Sequence, residues 1–191
     1  YHVGHLEGSE RTEYMENVWP TVKRASDWLT SWRDPETGLN WYANEDDHAE
    51  FTQGLQGAST TYGALVSAAR LARHMGHDED ADRWLERAGE LKNAVLEYLY
   101  VEGEGFYGEP GLESDEPEPQ KLGKGSPYWL SWPTHMFPED DERFRPQLIS
   151  GLDKQLGTLT GETPGGQYPT KVAISAALVL NEGEGRGKAL E

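Results

Sequence analysis

Glu45, Asp46 and Asp47 stand side by side in the segment DPETGLNWYANEDDHAEFTQGLQG, residues 34–57, with Trp41 and Tyr42 before them and His48 after. Adjacent carboxylates raise one another's pKa, because a charge already in place disfavours a second ionisation. A cleft lined by Trp41 adds desolvation, which pushes the same way. A carboxylic acid that keeps its proton near neutral pH can act as a general acid. The plainer alternative is a solvated acidic loop, the usual fate of a charge run.

The chain also carries groups suited to a polyhydroxylated ligand. Trp41, Tyr42, Trp129 and Trp132 can stack on the apolar C–H face of a sugar ring, although any single aromatic is more often part of a core. Gln53 and Gln56 stand where a helix is expected to begin and can bond hydroxyls, and Asp47 can bind a hydroxyl or cap the next segment. His48 and His135 are further contacts of the same kind.

Other chemistries find little support. The chain has no cysteine, which removes disulfides, thiolate catalysis and Cys-ligated zinc. His2 and His5 have no third ligand nearby, the acidic runs at 78–80 and 139–141 lack calcium-loop spacing, and EGEGFYG follows no strand-to-helix pattern. No metal or cofactor is therefore expected. Lys plus Arg number 17 against 34 Asp plus Glu, a formal charge of −17 in 191 residues. That field repels nucleic-acid phosphates and anionic membranes and favours a neutral partner such as a carbohydrate. Such acidity also suits a high-salt environment. No apolar run is long enough to span a bilayer. The opening YHVGHLEGSE lacks the basic start and apolar core of a signal peptide, and the compartment, cytoplasmic or secreted, stays open.

The elements that must position these groups are helical. Residues 10–33 read as an amphipathic helix with Ser9 as N-cap, and Pro20 predicts either a kink or a start near Trp19. Residues 56–75 are apolar or small nearly all round, the mark of a helix buried on most sides, with Gly76 as its stop. Residues 78–100 carry the clearest stripe, Ala81, Trp84, Ala88, Leu91, Val95 and Tyr98, with Asp78 or Asp80 as cap. The short turn between the last two predicts an antiparallel helical hairpin. Residues 101–126 read as an irregular or β-like excursion with an acidic tip near 113–120. A short buried helix is expected at the start of 126–137, an amphipathic helix at 138–156, a loop at 157–166 and a buried helix at 167–181. Amphipathic and buried helices alternate throughout, which predicts an all-α fold in two layers, an α/α toroid or a curved solenoid.

The segments VWPTVKRASDWLTSWRDPETGL (18–39), NEDDHAEFTQGLQGASTTYGALVSAARLARHMG (44–76) and YWLSWPTHMF (128–137) resemble the glucoamylase-like six-hairpin glycosidases, the glycoside hydrolase family fifteen type. In order they resemble an outer helix, an active-site loop opening an inner helix, and an aromatic substrate loop. The resemblance implies an (α/α) toroid of the six-hairpin glycosidase type. A complete one has about twelve helices and about six are legible here, so about half of the barrel is present and the chain is expected to be a single segment, 1–191, of such a domain. The missing remainder of the toroid is then an expected partner.

The implied activity is hydrolysis of α-glucosidic bonds with inversion. One carboxylic acid protonates the leaving oxygen while a second carboxylate, roughly 6.5–9.5 Å away, activates water. The implied acid lies on the loop after DPETGL, which makes Glu45 the first candidate and Asp46 the second. The family pattern has a Trp-Glu pair almost directly after Gly-Leu, whereas GLNWYANEDD displaces the acid by several residues. The implied base lies on a later loop beyond this chain. Glu162 is the one loop carboxylate before a later buried helix, and its Gly- and Pro-rich setting reads as a turn. Two other readings stand beside this one: a non-catalytic carbohydrate-binding (α/α) toroid, and a helical-repeat interaction module.

Overall fold

The computed structural model describes residues 7–41, 43–44, 51–108, 127–138, 141–143 and 146–147. The described fold is all-α apart from two-residue strand pairs. Helix α1 (Gly8–Ser31) leads through a turn and a short strand pair to α2 (Leu55–Met75), and α3 (Asp78–Tyr98) follows at once. Gly76 ends α2 in the left-handed conformation, φ 80°, which a residue without Cβ adopts at no steric cost. The expected helical hairpin is therefore present.

The start of α1 departs from expectation. The helix begins at Gly8, so Ser9 lies inside it, and Glu7 in the N-cap position makes no side-chain capping bond. It also runs on through Pro20, so the late start near Trp19 does not occur. Its rim position explains the tolerance. Only Met15 and Ser26 of α1 are buried, so the backbone groups freed by proline face no sealed core. The cap of α3 differs too. His77 holds the N-cap position without a side-chain bond, and Asp78, Glu79 and Asp80 occupy the first turn, where carboxylates suit the positive end of the helix dipole.

Two cores run along the hairpin. The one nearer its turn joins Leu65, Ala68, Ala69 and Ala72 of α2 to Ala81, Trp84 and Ala88 of α3, with Trp19, Val22 and Leu29 of α1 laid against them. Trp84 is fully buried and its Nε1–H donates to Asp27 at 3.0 Å. Trp19 stacks on His77 with centroids 4.3 Å apart. Lys23 reaches Asp80 at 2.6 Å, and Arg83 pairs with Asp27 and Asp80, which fastens α1 to α3 along its edge.

The other core is closed largely by connecting segments. Leu39, Leu55 and Ala58 meet Leu91, Ala94, Val95 and Leu99, and Phe106, Leu130, Met136 and Phe137 cover them. The β-like excursion is Tyr100–Val101 (β3) paired antiparallel with Gly105–Phe106 (β4), numbered after the strands β1 (Ala43–Asn44) and β2 (Phe51–Thr52). Gln147 bonds both the N–H and the carbonyl of Phe106. A single 3-10 turn over Pro127–Leu130 stands where the short buried helix is expected, with Trp129 half-buried and Leu130 buried, and its continuation crosses α2 where Gly63 faces Thr134. The helices expected at 138–156 and 167–181, the loop between them and the acidic tip at 113–120 fall largely or wholly outside the described residues.

Candidate functional site

The DPETG turn after α1 is built around one carboxylate. Gly38 donates to the Asp34 carbonyl at 2.9 Å, and Asp34 N–H donates to the Leu39 carbonyl at 2.9 Å. The side-chain Oδ1 of Asp34 accepts the Glu36 N–H at 2.9 Å, an Asx turn that local backbone geometry favours. Gly38 has φ 75°, and its carbonyl accepts Arg87 Nη1–H at 2.8 Å from the middle of α3. Arg87 is buried, and its Nε and Nη2 make no hydrogen bond. Burial pushes its pKa down, against the opposing pull of Glu90.

From this turn the chain climbs through Asn40 and Trp41 to β1, which pairs antiparallel with β2, Ala43 opposite Thr52 and Asn44 opposite Phe51. Arg33 and Asn40 form a bridge across the base, and Asn40 Nδ2–H donates to Thr61 of α2 at 3.0 Å. On the returning side Gln53 Nε2–H donates to the free oxygen of Asp34 at 2.8 Å. The Glu36 N–H, and next the Gln53 amide, hold the Asp34 carboxyl below its ordinary range. Leu55 then opens α2, its N–H on the Gly108 carbonyl at 2.8 Å.

The sequence candidates fall into three groups. Glu45, Asp46, Asp47, His48, Tyr42 and Glu162 lie outside the described residues. Trp41 and Trp132 are exposed, 43% and 41%, and present ring surface to solvent. Trp129 is half-buried against the loop-closed core, with its carbonyl accepting Thr134 Oγ1–H. Gln53 is 2% exposed and its amide donates to Asp34, so it joins the turn to the strand pair. Its position at the mouth of a helix gave no hint of this, because the partner is a turn residue far back in the chain. Gln56 is half-buried, and His135 is exposed with φ 53°. Asn40, Thr61 and Arg87 were not singled out in the sequence, and Asp34 reads there only as a turn residue. The Asx-turn pattern of DPETG could have marked Asp34; nothing local marks Arg87, whose acceptor is a backbone carbonyl on another element.

Among the described residues no group of three or more His, Asp or Glu side chains is arranged to hold a metal ion. No helix of the described residues is long and apolar enough to cross a membrane.

No protein-family model matches the chain. The chain is similar to a trehalase of Mycobacterium tuberculosis, with 26% identity over 155 residues. That match covers 78% of this chain and 20% of the trehalase, so the chain spans about a fifth of the curated relative's length. The similarity supports a relationship to glycosidases.

Proposed function

We propose that the chain is one segment of a six-hairpin (α/α) glycoside hydrolase that cleaves α-glucosidic bonds in oligo- or polysaccharides. The remaining hairpins complete the toroid around it. The observation that carries this reading is the strand pair β1–β2, inserted between α1 and α2 and tied down on both flanks. It leads directly into the three adjacent carboxylates beside an exposed Trp41, in a chain similar to a trehalase. Glu45, or Asp46 in its place, donates the proton to the glycosidic oxygen. The base that activates water from the other face lies roughly 6.5–9.5 Å away, on a segment outside this chain. Trp41 and Trp132 stack against sugar rings, Tyr42 and Trp129 line the approach, and Asp47 accepts from a sugar hydroxyl.

The test is glucose release from trehalose and from maltotriose by the full-length protein, wild type beside Glu45→Gln and Asp46→Asn. Loss of about a hundredfold or more in kcat in one variant, with KM kept, identifies the acid. Equal rates in all three remove the assignment. A second reading, a toroid that binds sugar without cleaving it, draws support from the exposed tryptophans, which need no carboxylate to stack. Saturable sugar binding by a wild type that releases no glucose favours it.

A further inference from the structure

We propose that Lys92 is a modification site, a nucleophilic amine on α3 that condenses with small neutral α-hydroxyaldehydes, the chemical class that includes the open-chain form of a reducing sugar. Its reactivity is independent of whether the chain cleaves glycosides. Lys92 and Lys23 are the lysines among the described residues, and they are placed in opposite ways. Lys23 is doubly paired, 2.6 Å from Asp80 and 3.3 Å from Asp27. Among the described residues Lys92 makes no hydrogen bond or ion pair. Its own helix offers no partner, because the positions three and four residues away are Ala88, Gly89, Val95 and Leu96, none of them a carboxylate. Its Nζ lies instead over the Phe137 ring, 4.6 Å from the centroid.

The carboxylate that acts on Lys92, Asp141, is already taken. Arg143 donates to one of its oxygens from the backbone N–H at 3.0 Å and from Nε at 2.9 Å, and to the other from Nη2 at 2.6 Å. The Arg143 guanidinium also sits over the Phe137 ring, 4.7 Å from the centroid. Two cations thus share one ring, and only Arg143 has a counter-ion. The ring attracts a cation, but a half-buried setting and a second cation both disfavour the ammonium. Burial, and next Arg143, outweigh the pull of Asp141 and hold the Lys92 pKa below its ordinary value. A larger share of the amine is then neutral, with its lone pair free. Approach is open on one side: Gly89, one turn back on the same face, is exposed, and a Cβ placed there would meet nothing within 4 Å. The formal charge of −17 selects among electrophiles, because it repels anionic acyl donors and leaves neutral aldehydes free to approach. The lone pair attacks the carbonyl carbon, a proton passes from nitrogen to the oxygen, and the carbinolamine loses water to give an imine. A proton then leaves the hydroxyl-bearing carbon for the nitrogen, the hydroxyl proton moves to the former carbonyl carbon, and an amino-carbonyl compound results. No oxidant or reductant is consumed.

Limited labelling of the full-length protein tests this. Folded protein at neutral pH is exposed to glycolaldehyde with cyanoborohydride, which reduces each imine as it forms, and the modified lysines are read by peptide mass spectrometry. Lys92 is expected to react at least about tenfold faster than Lys23, the factor that one pKa unit gives in neutral amine. The two rates should converge once guanidinium unfolds the chain. Lys92 reacting no faster than Lys23 in the folded protein overturns the proposal, and so does a preference that survives unfolding. Arg143→Gln removes the like charge and frees Asp141 to pair with the ammonium, so labelling at Lys92 should fall about tenfold while that at Lys23 is unchanged. Unchanged labelling at Lys92 in the folded variant overturns the role given to Arg143 and Asp141. If Arg143→Gln does not fold, the pH profile of Lys92 labelling in the wild type takes its place. A midpoint below about 10.4, the value of a free lysine, is expected, and a midpoint at or above it overturns the proposal.

Discussion

Tryptophans of one type serve opposite ends here. Trp84 is sealed between α1, α2 and α3 with its indole N–H on Asp27, whereas Trp41 and Trp132 keep about two fifths of their surface in water. Truncating the first should open a cavity and leave Asp27 short of a donor. Trp84→Ala is expected to cost about 3–5 kcal/mol, read as the midpoint shift in denaturant. Trp41→Ala and Trp132→Ala should shift folding by no more than about 0.5 kcal/mol. They should weaken maltooligosaccharide binding by about 0.5–1.5 kcal/mol, taking aromatic contact energies as the scale. Calorimetric titration against an acid-knockout background measures that directly. Unchanged affinity in both would remove the stacking role.

Element contacts yield two further expectations. A Cβ on Gly63 would sit 3.1 Å from the Thr134 Cα, where the 127–137 segment crosses α2, while one on Gly89 of α3 meets nothing within 4 Å. Gly89→Ala should gain about 0.5–1 kcal/mol through helix propensity and a stiffer unfolded chain. Gly63→Ala has the same local gain, but crowding of about 1–3 kcal/mol outweighs it. A lower Tm for Gly63→Ala and a higher Tm for Gly89→Ala is the expected pair. The seam between α1 and α3 sets a pH dependence. The Lys23 ammonium, then Arg83, hold the Asp80 carboxyl below its ordinary range, and Asp34 is lowered by its own turn. For Asp27, burial works upward but is outweighed by Arg83, Trp84 and Lys23. A folded pKa below the unfolded value, about 3.9, gives stability that is present above that value. It is lost as pH falls through the lower folded value. Tm should therefore hold from neutral pH down to about 5 and drop below about 4. Asp80→Asn should be slightly less stable at pH 7, by about 1 kcal/mol or less, and should lose less on acidification.

At the scale of the whole molecule, the described residues do not cover α2 on every side. Thr60, Ala64, Ser67 and Arg70 form an exposed line down the helix, the one side left over from the burial on most sides that its composition predicts. The packing of α1, α3 and the 127–137 segment accounts for its other faces. On the function proposed above, α2 is an inner helix of a toroid, and this line is where it would meet its next neighbour. Ala64→Arg in the full-length protein should then cost about 1–3 kcal/mol by overpacking and charge burial. At a position that stays in water the same change should be close to neutral. A thermal melt separates the two results.

The sequence by itself determined the helices and the stop between them. Periodicity marks the stripe of α3, Gly76 ends α2, and residues 101–126 read as an irregular or β-like excursion, because these signals act within a few residues of chain. It also drew attention to the acidic block, which depends only on residue types. Its errors are at helix starts, where Ser9 does not cap α1 and neither Asp78 nor Asp80 caps α3; of the two alternatives at Pro20 the late start does not occur, because a helix with few buried residues tolerates what a sealed one cannot. Only the tertiary structure decided the partners of Gln53, Asn40 and Arg87. Each bond joins residues about 19–49 positions apart, and a hydrogen bond between elements depends on how they pack, which no local pattern records.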